Sequence, residues 1–256
     1  MAEDAQRRAT NRHRRFARPL FPPGGIGARD MGGGRRDGEN ERDHEFSEGG
    51  LRGASGLIGG GAPMRIFGDL NSGNCQKVKT TADYLGVSYD WIDVDTEKGE
   101  SRTTEFLALN PAGQVPTVVF DDGRALAQSN AIVRYLARGS SLIPDDPFDQ
   151  AKADEWMFWE QYSHEPYVAV ARFQLVYLGR DRSDLEPKLV ERGERALERL
   201  ELGLRGRDYL VGDRLSIADI ALLPYTRLAH EGGFDLARRS AIRDWIGRCE
   251  TVLRFP

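Results

Sequence analysis

Three polar or nucleophilic side chains fall within one turn, where a strand-like run gives way to a helical run. Ser72, Asn74 and Cys75 lie between the run at 64–69 and the end of the helical run at 75–85. A serine hydroxyl at a helix start can donate to a thiolate, and the free amides of the first turn add positive potential. Both effects favour S⁻ over SH, and a pKa depressed by about two units corresponds to ~2.7 kcal/mol. The alternatives are an ordinary N-cap serine and a buried, inert cysteine.

A second helix start carries a serine that can bind a carboxylate. Ser129 opens the helical run 129–137, where its hydroxyl and the first amides can hold an anion. A serine that only caps its helix is the alternative interpretation.

Composition argues against several classes of function. The 256 residues are 39% hydrophobic and 30% charged, with a net charge of −4, which favours a soluble globular protein without nucleic acid or membrane as partner. No apolar run reaches the ~18 residues of a transmembrane helix. The four histidines show no metal-ligand spacing, so no metal is predicted. Two distant cysteines, Cys75 and Cys249, exclude a disulfide framework and favour a reducing compartment, the cytoplasm.

The elements that must position these side chains form an α/β pattern from Met64 onward. Its order is β-α-β-α-β-β-α, with an Asp-Gly hairpin turn at 121–123 between the last two strands. Strands are predicted at 64–69, 89–94, 116–120 and 124–127, and helices at 75–85, 103–109 and 129–137.

Only helical patterns follow the Pro- and Asp-rich stretch at 140–149, so an all-α domain is expected there. Helices are predicted at 151–178, at 185–204, from 216 and at 241–252. Pro166 cannot donate a backbone hydrogen bond, so a kink or break is expected in the first of these helices. Ser216 and Asp219 form a variant of the capping box, which we interpret as structural. The predicted divisions are a disordered extension, an α/β domain, a linker and an all-α domain, at 1–63, 64–141, 142–150 and 151–256.

The extension over 1–63 differs from the rest of the chain. It is rich in Gly and Arg, contains no Lys and lacks apolar periodicity, so we expect it to be disordered and dispensable. Its Arg-rich start suggests a transit peptide, but Glu3, Asp4 and the acidic stretch at 37–48 argue against one. Because Met64 opens the first strand-like run, a start of translation at Met64 is an alternative.

Four local motifs, in this order and spacing, carry a resemblance to the cytosolic glutathione transferases. They are Ser-Gly-Asn-Cys at 72–75, Asn-Pro-Ala-Gly-Gln-Val-Pro at 110–116, Gln-Ser-Asn-Ala-Ile at 128–132 and Gly-Asp-Arg-Leu-Ser-Ile-Ala-Asp at 212–219. The likeness covers nearly all of 64–256 and is closest in style to bacterial members. It implies a thioredoxin-like domain followed by an all-α helical bundle.

The resemblance implies a glutathione-binding set. In the family the position of Ser129 binds the γ-glutamyl carboxylate, and the preceding residue is usually Glu or Asp and helps to bind the γ-glutamyl amine. Here that residue is Gln128, so the amine contact is weaker or made differently. Val115 and Pro116 match the cis-proline turn, where the Val115 backbone pairs with the cysteinyl part of glutathione. Gln114 either reaches the peptide or is a solvated loop residue.

The resemblance leaves three candidates for the residue that faces the thiol. In the beta class the active cysteine falls at Cys75. In the nu class, known for glutathione-dependent disulfide reduction, a threonine and an asparagine match Ser72 and Asn74. We expect Ser72 to activate the thiol, with Cys75 on the inner helix face beside Val78 and Ala82.

The implied activity is attack of the glutathione thiolate on an electrophilic small molecule, a detoxification reaction carried out by a cytoplasmic homodimer. We expect Tyr167 and Phe173 beside the second substrate, while Arg172 either attracts an anionic substrate or pairs with Glu165. Glutathione-dependent disulfide reduction and a non-catalytic, glutathione-transferase-like interaction module are the alternatives. The electrophile is not identified by the sequence, because variable apolar residues build its pocket.

Overall fold

A computed structural model describes residues 64–254 as a four-stranded sheet with three helices, followed by a part that is helical only. The sheet elements are β1 (Met64–Gly68), α1 (Gly73–Tyr84), β2 (Tyr89–Asp93), α2 (Thr104–Leu109), β3 (Thr117–Val119), β4 (Ala125–Ala127) and α3 (Ser129–Leu136). The strand order is β2-β1-β3-β4, with β1 parallel to β2 and β3 antiparallel to both of its neighbours. This mixed sheet confirms the predicted thioredoxin-like order of elements.

The sheet and α1 share a core built from the apolar positions of both elements. Ile66 of β1 lies opposite Val118 of β3, and both side chains are fully buried. Cys75, Val78 and Ala82 of α1 are also fully buried. The prediction that these three residues form the inner face of the helix is confirmed. Ser72 and Asn74, at the start of the helix, are not part of this buried face.

The second part of the described chain consists of helices. They are α4 (Pro147–Trp159), α5 (Glu165–Arg172), α6 (Pro187–Leu204), α7 (Ile217–Arg227) and α8 (Ser240–Leu253). Helix α4 begins earlier than the predicted residue 151, because Asp146 accepts from the Asp149 N–H and Pro147 occupies the first turn. A proline there breaks no intrahelical hydrogen bond, since the first amides of a helix have no partner within it.

The predicted interruption at Pro166 is confirmed and takes the form of a π-helical turn. Residues Glu160–His164 make this turn between α4 and α5, and Pro166 then lies in the first turn of α5. A second π-helical turn, Phe173–Tyr177, follows α5. Both turns change the direction of side chains on a helix that would otherwise be continuous, and such turns are frequent at functional sites.

Asp219 organises the helical part, as its predicted structural role requires. Ser216 and Asp219 form a capping box at the start of α7. The buried Asp219 carboxylate also accepts from the Leu210 N–H at 2.9 Å and from the Trp245 indole at 2.8 Å. These bonds join α7 to α8 and to the loop that precedes α7.

The predicted disordered extension over 1–63 lies outside the described residues, and the predicted domain boundaries stay predictions. Within residues 64–254, no helix combines the length and apolar character needed to cross a membrane. In that same range, no group of three or more His, Cys, Asp or Glu side chains is placed to hold a metal ion. The two cysteines, Cys75 and Cys249, are both free and buried.

Candidate active site

Ser72 lies where β1 has ended and α1 begins. Its backbone is extended (φ −80°, ψ 121°), and its side-chain oxygen accepts from the Cys75 N–H at 3.5 Å, so Ser72 is the N-cap of α1. The side chain is half-buried and borders a cleft of about 260 Å³. The hydroxyl therefore sits at the positive end of the helix dipole and beside a space that can hold a ligand.

The cleft has one polar and one largely apolar wall. The polar wall comes from the segment that leads into α1 and from the residues after β2, and it consists of Asp69, Asn71, Ser72, Gly73, Thr96 and Glu97. The other wall comes from α5, the following π-helical turn and α7, and it consists of Ala169, Val170, Arg172, Phe173, Tyr177 and Tyr225. The cleft thus lies between the sheet-containing part and the helical part.

Cys75 lies one turn farther along α1 and is fully buried. Its sulfur accepts from the Asp69 N–H at 3.4 Å. Burial raises the pKa of the Cys75 thiol to about 11, although the hydrogen bonds from Asp69 and Ser72 oppose this rise. A neutral, enclosed thiol is a poor nucleophile, because the thiolate is the reactive form.

The Asn74 side chain joins the predicted carboxylate-binding serine to the helical part of the chain. Its Oδ1 accepts from the Ser129 hydroxyl at 3.0 Å and from the Lys77 ammonium at 2.8 Å. Its Nδ2 donates to Glu165 Oε1 at 2.8 Å. Asn74 is therefore held rigidly, and it links the starts of α1 and α3 to the start of α5.

A buried ion pair lies beneath this asparagine. Lys77 Nζ is 2.8 Å from Glu160 Oε1, and neither side chain is exposed. The same ammonium is 4.0 Å from Glu165 Oε2, so two carboxylates share one cation. Burial, with the neighbouring Glu160 charge, raises the pKa of Glu165 despite the opposing effect of Lys77. Asn130 satisfies the other Glu160 oxygen by donating to Oε2 at 3.1 Å.

The remaining predicted glutathione-binding residues lie at the two loops that border the sheet. The Val115–Pro116 peptide bond is cis, as the resemblance implied. The side chain of Gln114 is exposed, while its carbonyl accepts from Asn110 Nδ2 at 2.8 Å. Gln128 is also exposed and has a positive φ of 72°, directly before Ser129, which is buried in the first turn of α3.

The structure separates the three residues predicted to line the second-substrate pocket. Arg172 and Phe173 border the Ser72 cleft. Tyr167 does not border it; its hydroxyl accepts from Arg192 Nη1 at 2.8 Å, in a separate depression against α6. Of the two alternatives for Arg172, pairing with Glu165 is not observed, since Arg172 Nε lies 2.5 Å from Glu231 Oε2. The directions of these three side chains depend on the helix phase around the π-helical turns, and the sequence does not reveal that phase.

Two groups of residues at the site were not singled out from the sequence. Tyr225 is contributed by α7, and its hydroxyl accepts from the Asn74 N–H at 3.3 Å. Lys77, Glu160 and Glu165 form the buried charged cluster. Glu160 and Glu165 fall in a segment that shares the family likeness, but nothing local pairs them with Lys77. For Tyr225 the sequence holds no signal beyond its place in a buried helix.

The fold and the cleft define a class of protein with a thioredoxin-like part, an all-α part and a cleft between them. The sequence profile of the glutathione S-transferase N-terminal domain matches residues 71–138, and that of the C-terminal domain matches residues 159–251. The chain belongs to the glutathione S-transferase family.

Individual relatives agree with this assignment. Glutathione S-transferase 3 of Zea mays is 32% identical over 174 residues, which are 64% of this chain and 78% of the maize protein. The crystal structure of a glutathione S-transferase from Pseudomonas fluorescens is 45% identical and covers 74% of this chain and 96% of its own, with a TM-score of 0.72. Ure2p in complex with glutathione is 23% identical, covers 75% of this chain and 96% of its own, and has a TM-score of 0.69, so it shares the fold alone.

Proposed function

We propose that this protein binds glutathione and catalyses its conjugation to an electrophilic small molecule. The thiolate sulfur attacks an electrophilic carbon and forms the new C–S bond, while the leaving group departs with its electron pair and the thiol proton passes to solvent. The protein's part is to lower the pKa of the bound thiol and to orient it.

The observation that carries this proposal is the position of Ser72. A hydroxyl at the first turn of α1, on the border of a cleft, can donate to a thiolate in that cleft, which supports the proposal. The helix dipole favours the same anion. Cys75 is a weaker candidate for the thiol-facing group, because burial keeps its own thiol neutral. Asn74 directs its amide towards Glu165, which supports a positioning role.

Glutathione is the proposed co-substrate, held along the edge of the sheet. Ser129 lies in the first turn of α3, where the helix amides can bind the γ-glutamyl carboxylate. Its hydroxyl can join them when the ligand replaces Asn74 Oδ1 as the acceptor of its single proton. The cis Val115–Pro116 turn offers backbone groups to the cysteinyl part. Gln128 and Gln114, both exposed, complete the proposed set of contacts.

We propose that two copies form a homodimer in the cytoplasm. Large apolar side chains are exposed along α4 and the turn after it: Phe148 is 71% exposed, Phe158 is 75% exposed and Tyr162 is 82% exposed. Aromatic side chains exposed to this extent favour burial against another protein surface. Light scattering of the purified protein tests the dimer, and a monomer at micromolar concentration contradicts it.

The activity is tested with three measurements on one preparation. These are retention on immobilised glutathione, conjugation of glutathione to an activated aryl chloride, and glutathione-dependent reduction of a small disulfide. Retention with conjugation supports the proposal. Retention with disulfide reduction but no conjugation assigns the reductase activity instead. Retention with neither reaction identifies a binding module, and absence of retention overturns the proposal.

A further inference from the structure

The guanidinium of Arg172 borders the Ser72 cleft but already has a carboxylate as its partner. Arg172 Nε lies 2.5 Å from Glu231 Oε2, and only 14% of the Arg172 side chain and 32% of the Glu231 side chain are exposed. Arg172 Nη1 also donates to the Tyr177 hydroxyl at 3.4 Å, and the guanidinium carbon lies 5.4 Å from the centre of the Tyr177 ring. The positive charge on this wall of the cleft is therefore neutralised by the protein itself.

The position of Glu231 is fixed by close backbone packing. Glu231 belongs to a 3₁₀ turn, Ala229–Gly232, that follows α7. A Cβ atom on Gly232 would lie 3.1 Å from the Arg172 backbone nitrogen and 3.2 Å from the Val168 carbonyl oxygen, so glycine lets this turn pack directly on α5. The turn thereby holds the Glu231 carboxylate against the last residue of α5, which is Arg172.

The opposite wall of the cleft carries negative charge without a counter-ion. Asp69 and Glu97 both border the cleft, and neither takes part in an ion pair with any residue of 64–254. Lys98, the neighbour of Glu97 in the chain, pairs with Asp95 instead, at 2.7 Å. The unpaired charges that this part of the chain brings to the cleft are thus both negative.

Two aromatic rings give the same cleft a flat apolar surface. The ring centres of Phe173 and Tyr177 are 5.7 Å apart, and the two planes are inclined by 23°. Phe173 is 49% exposed, so part of its ring is free to contact a ligand. A planar aromatic ligand can stack on such rings.

We propose that this cleft selects planar aromatic electrophiles that are uncharged or cationic over anionic ones, and that Glu231 sets this selectivity by neutralising Arg172. The inference rests on the proposed function and names its substrate class. An anionic group in the cleft is repelled by Asp69 and Glu97, and the ion-paired Arg172 offers it no net attraction. Repulsion of a wrong ligand contributes to specificity as directly as attraction of the right one. Because Glu231 is not among the residues that line the cleft, it is a positioning residue that acts through Arg172.

The experiment compares two aryl chlorides that differ in charge, a chlorodinitrobenzoate and its methyl ester. Both lose chloride to the glutathione sulfur. Each kcat/KM is divided by the rate constant of the uncatalysed reaction with glutathione, which removes the difference in intrinsic reactivity. For the wild-type protein we expect the ester to be preferred by roughly fivefold or more, as for one or two partly screened charges. The preference is expected to shrink as the ionic strength rises.

Three variants test the role of Glu231. Glu231→Gln leaves Arg172 without its counter-ion and is expected to raise the carboxylate-to-ester ratio roughly fivefold. The ratio cancels any loss of folded protein, because such a loss lowers both rates equally. Glu231→Gln combined with Arg172→Met has the net charge of the wild type and is expected to restore the wild-type ratio. Glu194→Gln is the matched control, because Glu194 pairs with Arg239 at 2.5 Å with similar exposure, and neither residue borders the cleft.

Equal or faster use of the carboxylate by the wild type overturns the inference. So does an unchanged ratio in Glu231→Gln, or a shift that persists in the double mutant or appears in Glu194→Gln. Calorimetry with the two ready-made glutathione conjugates makes the same comparison without turnover, and weaker binding of the carboxylate conjugate supports the inference. A wild-type protein that binds the conjugates in this order but forms neither of them contradicts the proposed conjugation and leaves the inference standing. A protein that binds neither conjugate overturns both.

Discussion

The Lys77 ammonium lies 2.8 Å from the Glu160 carboxylate, and both side chains are fully buried. Lys77 belongs to α1, whereas Glu160 opens the π-helical turn after α4, so the pair joins the two parts of the fold directly beneath Asn74. Two buried charges stabilise a structure only while each compensates the other, because removing either leaves the remaining charge without a counter-ion.

Replacing Lys77 by methionine should therefore destabilise the protein strongly. We expect a loss of about 3–5 kcal/mol in the free energy of unfolding, measured by guanidinium denaturation, because the buried Glu160 charge is left uncompensated. Lys79→Met is the matched control, since its partner Asp83 is exposed and such pairs contribute about 1 kcal/mol or less. Equal losses in the two variants would show that the buried Lys77 pair contributes no more to the free energy of unfolding than the exposed Lys79 pair.

Ser72→Ala should impair conjugation strongly, whereas Cys75→Ala should not. Loss of the hydroxyl removes a donor to the thiolate, so we expect a higher apparent pKa in the pH–rate profile and a fall in kcat on the order of 10- to 100-fold at neutral pH. Part of the activity remains because the amides at the start of α1 still favour the anion. Cys75→Ala should change conjugation little and cost some stability through a small cavity. The reverse pattern, measured as kcat/KM against pH, would make Cys75 the active residue.

Ser129→Ala should weaken glutathione binding. A charge-assisted hydrogen bond to the γ-glutamyl carboxylate is worth ~1.5–3 kcal/mol, so its loss corresponds to roughly tenfold or more in affinity. Titration calorimetry measures this directly. Thr103→Ala is the control, because it also removes a hydroxyl at the start of a helix, α2, and Thr103 lies outside the proposed site. Unchanged affinity in Ser129→Ala would reject the assignment.

Phe173 and Tyr167 should differ in their effect on the second substrate. Phe173 borders the cleft and is 49% exposed, so Phe173→Ala is expected to remove roughly 1 kcal/mol of apolar contact and raise the KM for an aryl electrophile about fivefold. Tyr167→Ala is expected to leave that KM unchanged, because Tyr167 contacts Arg192 instead. A larger increase in KM for Tyr167→Ala than for Phe173→Ala would show that Tyr167 contacts the second substrate.

His164 should make the protein less stable in acid. Burial lowers the pKa of His164 from 6.5 to about 4. The unfolded chain therefore binds this proton at a higher pH than the folded chain, and stability is lost as the pH falls from about 6.5 towards 4. The full loss is about 3 kcal/mol. Unfolding free energies measured across this range should fall less steeply for His164→Gln, and parallel curves for the two proteins would exclude His164 as the cause.

Much of the fold follows from local features of the sequence. The order of strands and helices, the cap at Ser72 and the interruption at Pro166 all depend on residues a few positions apart. Periodicity and capping chemistry act over that distance, so the pattern alone predicts them. The starts of α1 and α3, and with them Ser72 and Ser129, were located for the same reason.

Only the tertiary structure brings Tyr225 to Asn74, Lys77 to Glu160 and Arg172 to Glu231. These partners are far apart in the chain, and each pairing depends on how α7, the π-helical turns and α1 pack against one another. Each residue along a helix turns the side-chain direction by about 100°. The phase of the helix around the π-helical turns therefore decides that Phe173 borders the cleft and Tyr167 does not. The sequence by itself therefore determined the family and the two helix starts, while long-range packing decided which side chains meet there.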